Sequence, residues 1–275
     1  MRCAWDAFIK LLPPTLREEV TKREKDTLQE LRLRMGQAPE FVCSDGLRWG
    51  KHVVTEAVLS FVVNAASRYS PWSAATAAFG FITASGGHRI GLCGETVVKE
   101  NTVCGIRGLT SLNIRIARDF PGIANKVPVL GGNILILGPP GSGKTTLLRD
   151  LIRKISYSDT VAVVDERGEL FPKDFLSGRR TDVLTGCGKA QGIEMVLRTM
   201  GPSCIACDEI TASEDCRALV SAGWCGVRLI ATAHAASTED LKQRPVYRPL
   251  WETKLFETAI VLHSDKSWRT ERISV

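Results

Sequence analysis

Residues 133–149 read N-I-L-I-L-G-P-P-G-S-G-K-T-T-L-L-R, and no other stretch restricts the possible folds of this chain as tightly. It runs as a short apolar strand, a glycine-rich loop and a helix, and positions 138–145 fit G-x-x-x-x-G-K-S/T at every fixed place. Wrapping a di- or triphosphate requires several backbone N–H groups aimed inward, so the loop must bend tightly and approach closely, which glycine permits. The helix that follows points its positive end at the anion. The loop and the helix start, Gly138, Pro139, Pro140, Gly141, Ser142, Gly143, Lys144, Thr145 and Thr146, are therefore the expected nucleotide cradle. Lys144 is placed to bridge the β- and γ-phosphates of ATP, and Thr145 to offer its hydroxyl to Mg²⁺.

Downstream, short apolar runs alternate with helical patterns. Residues 161–164 (V-A-V-V), 204–207 (C-I-A-C) and 227–231 (V-R-L-I-A) read as buried strands, and residues 191–200 and 213–222 as helices between them. That alternation predicts an α/β core with a mostly parallel, doubly wound sheet, in which ligands sit at the carboxyl ends of strands. Polar candidates lie at those ends. Asp208-Glu209 after four apolar residues is a Walker B pattern, with Asp208 at Mg²⁺ and Glu209 polarising the attacking water. Asp165-Glu166 ends an earlier strand and is placed to orient Mg²⁺-bound water; capping the next turn is the competing use. His234 ends the last of these strands, where it can sense the γ-phosphate. Cys204 and Cys207 form C-x-x-C, but on a strand and without a second ligand pair, so a metal site is not expected.

The part before the loop is different. Residues 1–30 read as helical, broken by Pro13-Pro14, with Trp5, Phe8, Ile9 and Leu12 as an apolar stripe expected to pack on the domain's own sheet, contact with a membrane or a partner being the competing use. Residues 31–35 and 40–43 read as strands, residues 55–69 as an amphipathic helix with Thr55 as N-cap. Residues 79–84, 88–93, 95–98 and 102–106 read as short antiparallel strands with turns at Gly86-Gly87 and 99–101, and residues 112–118 as a closing strand. The expected organisation is thus a small α+β domain (1–118), a Pro/Gly-punctuated linker (119–132) and the nucleotide-binding core (133–275).

Composition excludes some classes. Hydrophobic residues are 44% of the 275, so global disorder is excluded, and no apolar run approaches the roughly 18 residues of a membrane span. With no signal pattern at the amino terminus, a cytosolic protein is expected. Nine cysteines at scattered spacing suit reduced thiols. The net charge of +6 and the basic strand at 31–35 admit a nucleic-acid translocase, but no aromatic stacking platform accompanies them. A scaffold ordered by nucleotide without turnover is a second alternative, against which Glu209 speaks. The core shows no arginine finger; Arg115, Arg118, Arg89 and Arg107 of the first domain are candidates, acting in trans in an oligomer.

The motifs taken together resemble the secretion-superfamily ATPases of type II and type IV secretion and type IV pili. L-R at 197–198 with Pro202, then C-D-E-I at 207–210, follow that family's pattern, with Asp208 in place of its usual Gly, and G-V-R-L-I-A-T-A-H at 226–234 resembles its His box. G-G-H-R-I-G-L-C-G-E at 86–95, S-L-N-I-R-I-A-R at 111–118, V-V-D-E-R-G-E-L at 163–170 and the loop itself resemble the stage III sporulation AA family of endospore formers. The resemblance implies a RecA-like ATPase core and a homo-oligomer, a hexamer, bound at the inner face of the membrane on the mother-cell side. Its partners would be membrane-embedded components of a channel to the forespore, with no nucleic acid. Lys144, Thr145, Asp208, Glu209 and His234 take the family roles by position, and the family's interfacial arginines map best onto Arg115 and Arg118.

Overall fold

The computed structural model describes residues 3–67, 80–127, 131–172 and 175–273. The chain separates between Asp119 and Phe120 into two compact units, each with its own core.

The first unit opens with helices α1 (Trp5–Leu11), α2 (Pro14–Glu19) and α3 (Lys22–Thr27). Strands β1 (Leu28–Arg34), β2 (Glu40–Cys43) and β3 (Gly46–Trp49), helix α4 (Glu56–Ser67) and strands β4 (Phe81–Thr83), β5 (Arg89–Lys99) and β6 (Thr102–Arg115) follow. The strands form one antiparallel sheet in the order β3-β2-β1-β6-β5-β4. Alternate residues of β1, Leu28, Leu31 and Leu33, are fully buried, and with Phe41, Ile90 and Ile114 they meet Phe8 of α1 and Leu59 and Val62 of α4. The apolar stripe of the first helix is spent on this core, Phe8 and Leu12 buried and Trp5 and Ile9 packed against it.

Here the structure corrects several sequence expectations. The second helix does not run to Glu30. It is cut at Thr21, where a capping box with Glu24 starts α3, and Leu28 already belongs to β1. Strand β3 went unread. The four short strands after residue 88 are two long ones, β5 and β6, joined by a turn with Glu100 and Asn101 in the left-handed region. Residues 116–118 lie beyond the last strand. The expected helix end at Tyr69, the expected strand start at Phe79 and Pro128 of the expected linker lie outside the described residues.

The second unit carries β7 (Ile134–Leu137), α5 (Lys144–Ile155), β8 (Val161–Asp165), β9 (Thr181–Thr185), α6 (Lys189–Thr199), β10 (Cys204–Cys207), α7 (Ser213–Trp224) and β11 (Arg228–Ala233). It ends with α8 (Thr238–Gln243), α9 (Arg248–Glu252), β12 (Thr258–Leu262) and β13 (Trp268–Arg272). Its seven strands lie in the order β13-β12-β7-β11-β10-β8-β9, all parallel except the β12–β13 hairpin. Every residue of β7, β8 and β10 is buried, as expected for strands covered by helices on both faces. Two clusters line those faces: Leu147, Leu148, Leu151 and Ile152 of α5 on one, Ile193, Val196, Leu219 and Val220 of α6 and α7 on the other.

The stretch expected as a linker is partly built into this unit. Residues Ile123–Lys126 form a 3-10 turn whose Ala124 is buried. The amides of Gly122 and Ala124 donate to Asp150 at 3.0 and 2.8 Å, and Lys154 Nζ donates to the carbonyls of Ala124 and Val127.

Candidate functional site

Sheet order places the chemistry. Strand β7 feeds the glycine-rich loop, β11 lies beside it and leads to His234, and β10 lies next and leads to Asp208 and Glu209. Three strand ends therefore converge at one edge of the sheet.

The loop is shaped by two glycines in particular. A Cβ on Gly138 would stand 2.5 Å from Ser142 Oγ and 2.9 Å from the Leu262 carbonyl, so only glycine fits there. Gly143, immediately before α5, has φ +101°, which L side chains rarely adopt. Lys144 opens α5 and is 7% exposed. Its Nζ donates to the carbonyls of Gly138 (2.9 Å) and Pro139 (3.0 Å) and lies 3.0 Å from His234 Nδ1. Burial pushes its ammonium down from the ordinary lysine value, and the Glu209 and Asp208 carboxylates push it back up.

His234 also reaches the other way. Its Nε2 lies 2.8 Å from Glu209 Oε1. A ring protonated on Nε2 satisfies both contacts, accepting from Lys144 and donating to Glu209. Glu209 itself has φ +38°, a strained conformation for a side-chain-bearing residue. It is held there by its own amide, which donates to Asp208 Oδ1 (3.0 Å) and Thr232 Oγ1 (2.7 Å). Thr232 Oγ1 donates in turn to Asp208 Oδ1 at 2.7 Å, and Thr145 Oγ1 donates to Asp208 Oδ2 at 2.9 Å. One aspartate thus ties the phosphate loop, β10 and β11 together.

Of the remaining expected site residues, Asp165 and Glu166 line a cleft with Asp208 and Glu209, and the arginines lie in the first unit. Asp165 is buried and accepts from the amides of Glu169 (2.9 Å), Leu170 (2.9 Å) and Phe171 (3.1 Å). Burial pushes its carboxyl up to about 6 against those amides, with Asp208 adding to the rise and Arg149 opposing it. This is the geometry of a loop anchor. Glu166 pairs with the buried Lys189 at the start of α6, and both line a cleft with Asp208, Glu209 and Thr211. Arg115 and Arg118 belong to the first unit. Arg115 Nε stands 3.5 Å from Glu30, and Arg118 donates to the Leu28 carbonyl at 2.9 Å. Sequence reasoning gave Thr232 a place in the His box but no role, and passed over Lys189. Thr232 is fully buried on a strand, and a hydroxyl there must find partners.

The donor set fits a nucleotide polyphosphate with a divalent cation. Ser142 Oγ is buried in the loop with no hydrogen-bond partner among the described residues, an unspent group where a phosphate would lie. Thr145 and Asp208 supply the hard oxygen ligands that Mg²⁺ takes. Among the described residues no helix is long and apolar enough to cross a membrane.

Comparison with known proteins gives the family and the fold. Residues 6–272 match the family described as Sporulation stage III, protein AA. The Stage III sporulation protein AA of Bacillus subtilis (strain 168) is 34% identical over 278 residues, spanning 94% of this chain and 90% of that protein. Among solved structures, the Legionella pneumophila ATPase DotB superposes with a TM-score of 0.57 at 16% identity, covering 90% of this chain and 76% of its own. The pilus retraction motor PilT with bound ADP superposes with a TM-score of 0.60 at 14% identity, covering 88% and 78%. The fold is that of RecA-like secretion ATPases.

Proposed function

We propose, for a chain that belongs to the sporulation stage III protein AA family, that it is an Mg²⁺-dependent ATPase acting as a ring motor of a secretion-type channel between mother cell and forespore. The observation that carries this reading is the bridge from Lys144 through His234 to Glu209, at 3.0 and 2.8 Å, beside the Thr145–Asp208 bond. It joins a phosphate-binding cation to the carboxylate placed to activate water.

The loop 138–145 would hold the β- and γ-phosphates of ATP, with Lys144 turning from its loop carbonyls toward them and Ser142 gaining a partner. Thr145 and Asp208 would hold Mg²⁺. The ion, when bound, supplies charge neutralisation at the phosphates. Glu209 orients and polarises the attacking water, and its fixed backbone keeps the carboxylate in place. His234 links the two, so that a change at Lys144 reaches Glu209. Asp165 anchors the 165–171 loop, and Glu166 acts from the cleft wall. The known neighbours support the nucleotide: one is an ATPase, one a motor carrying ADP.

The motor would be a homo-oligomer, a hexameric ring, on the cytoplasmic side of the mother-cell membrane, partnered by membrane components of the channel. Arg115 is the better candidate to act across subunits, since its side chain is exposed and its pairing with Glu30 is loose, whereas Arg118 is half-buried and donates to the Leu28 carbonyl. The test is ATP turnover against protein concentration, with and without liposomes, for the wild type and Lys144→Ala. Turnover that climbs with concentration and disappears in the variant supports the reading. Turnover that is negligible under every condition while ATP still binds, or that survives in Lys144→Ala, overturns it.

A further inference from the structure

The catalytic flank of the phosphate loop is the β11–β10 side, where His234, Glu209 and Asp208 stand. A terminal phosphate must point that way. The nucleoside at the opposite end of the polyphosphate then leaves the loop on its other flank, which is β12. That strand is the parallel neighbour of β7, with Val261 opposite Leu137. Its carboxyl end runs into the 263–267 turn, and two features press that turn onto the loop. The Leu262 carbonyl stands 2.9 Å from where a Cβ of Gly138 would be. Lys266 Nζ donates to the Gly141 carbonyl.

The turn is built to hold its side chains out. His263 N donates to Ser267 O at 2.9 Å and Lys266 N to His263 O at 3.1 Å, which fixes Lys266 at φ +70°. Asp265 accepts from Ser267 N (2.9 Å) and Ser267 Oγ (2.6 Å), both through Oδ1. His263 is engaged with Arg269 at 2.8 Å; Ser264, Asp265, Lys266 and Ser267 are exposed, and of these Asp265 and Lys266 carry charge, Lys266 with one of its three N–H donors on the Gly141 carbonyl. A carboxylate is a poor neighbour for phosphates and a good acceptor for sugar hydroxyls; an ammonium donates to sugar and base heteroatoms.

Resting on the nucleotide reading above, we propose that the 263–267 turn is the nucleoside-recognition edge of the site, with Asp265 accepting from the sugar and Lys266 donating to the sugar–base moiety. The turn thereby discriminates nucleotides from bare polyphosphates, a task the phosphate loop cannot perform alone.

The test is calorimetric binding of two probes, ATP and inorganic tripolyphosphate, each with Mg²⁺, to the full chain. The variants are Lys266→Ala, Lys266→Gly and Asp265→Asn; the glycine removes the positive-φ strain together with the ammonium. Each variant should weaken ATP by about tenfold, the worth of one charge-assisted hydrogen bond, and leave tripolyphosphate within about twofold. Equal weakening of both probes would overturn the proposal, because the turn would then act only as a clamp on the loop. Unchanged ATP binding in all three variants would overturn it as well. A wild-type chain that binds neither probe fails at the earlier step, the nucleotide reading, and takes this inference with it.

Discussion

His234 Nε2 lies 2.8 Å from Glu209 Oε1. The imidazole's other nitrogen lies 3.0 Å from Lys144 Nζ, so the carboxylate and the loop cation are coupled through one ring. Removing the acid and removing the coupler should therefore differ. Glu209→Gln keeps shape and hydrogen bonding but cannot polarise water. It should lower kcat by at least about 100-fold with ATP affinity within about threefold. His234→Ala leaves the acid present but unlinked, and should lower kcat by about tenfold. Steady-state turnover with a parallel binding isotherm checks both, and equal kcat in either variant and the wild type would refute the coupling.

Asp208 is shared between Thr145 at 2.9 Å and Thr232 at 2.7 Å. Asp208→Asn replaces an acceptor with a donor on one side and removes the charge that a divalent cation needs. The Mg²⁺ concentration for half-maximal turnover should rise by about tenfold or more, while ATP binding measured without Mg²⁺ stays close to wild type. Chelation of Mg²⁺ should abolish turnover in both proteins. Thr145→Ser keeps the hydroxyl and should behave as wild type, whereas Thr145→Ala should resemble Asp208→Asn in a Mg²⁺ titration.

The first unit should be sensitive to acid through two buried glutamates. Glu19 accepts from His52 Nδ1 (2.6 Å) and from the amides of Lys51 (2.7 Å) and His52 (3.0 Å). Burial raises its carboxyl, but those bonds outweigh burial and hold it below the ordinary value of 4.5; Glu24 is held down likewise by Thr21 and Arg48. A depressed folded value means that the stabilisation is complete above pH 4.5 and is lost as pH falls through the folded value. Asp165 in the second unit has the opposite sign. Its value of about 6 exceeds the ordinary 3.8, so its contribution is most favourable below 3.8 and declines as pH rises to 6. Thermal midpoints of wild type and Glu19→Gln should differ at pH 7, and the gap should shrink as pH falls below 4.5. A gap that stays constant across that range would show that Glu19 stabilises by packing alone.

The site was legible because its strands are buried on both faces. Ile134 to Leu137 and Cys204 to Cys207 stand out as unbroken apolar runs, and whatever polar residue follows such a run lies at a strand end. What was missed lies where that signal fails. Strand β9 (T-D-V-L-T) is an edge strand with its side chains largely exposed, so no periodicity marks it. Strand β5 reads as two strands because Gly94 reads as a break. Gly94 is instead the position of a register shift, where a Cβ would stand 2.7 Å from the Arg107 carbonyl. Lys189 reads as an ordinary helix-start lysine, and only the fold brings Glu166 to it. Asp165 was legible at its strand end, and the competing use, capping the turn that follows, is the one its carboxylate serves by accepting from three amides four to six residues on.

The phosphate loop offers a last prediction, because its fit depends on one missing methyl group. A Cβ at Gly138 would meet Ser142 Oγ at 2.5 Å and Leu262 O at 2.9 Å. The serine hydroxyl can rotate away, but the Leu262 carbonyl belongs to the backbone of β12 and cannot, so Gly138→Ala must push the loop off that strand. Overpacking of this kind costs about 1–3 kcal/mol. The loop, as the softer element, should take most of the displacement, so nucleotide affinity should fall by more than stability does. Gly141 has φ +72° but nothing within 4 Å of a Cβ, so Gly141→Ala carries conformational strain without a clash. Comparing the two variants by ATP binding and thermal melting separates the effects: Gly138→Ala should lose at least about tenfold more affinity than Gly141→Ala. Equal losses would mean that loop conformation, and not its contact with β12, sets affinity.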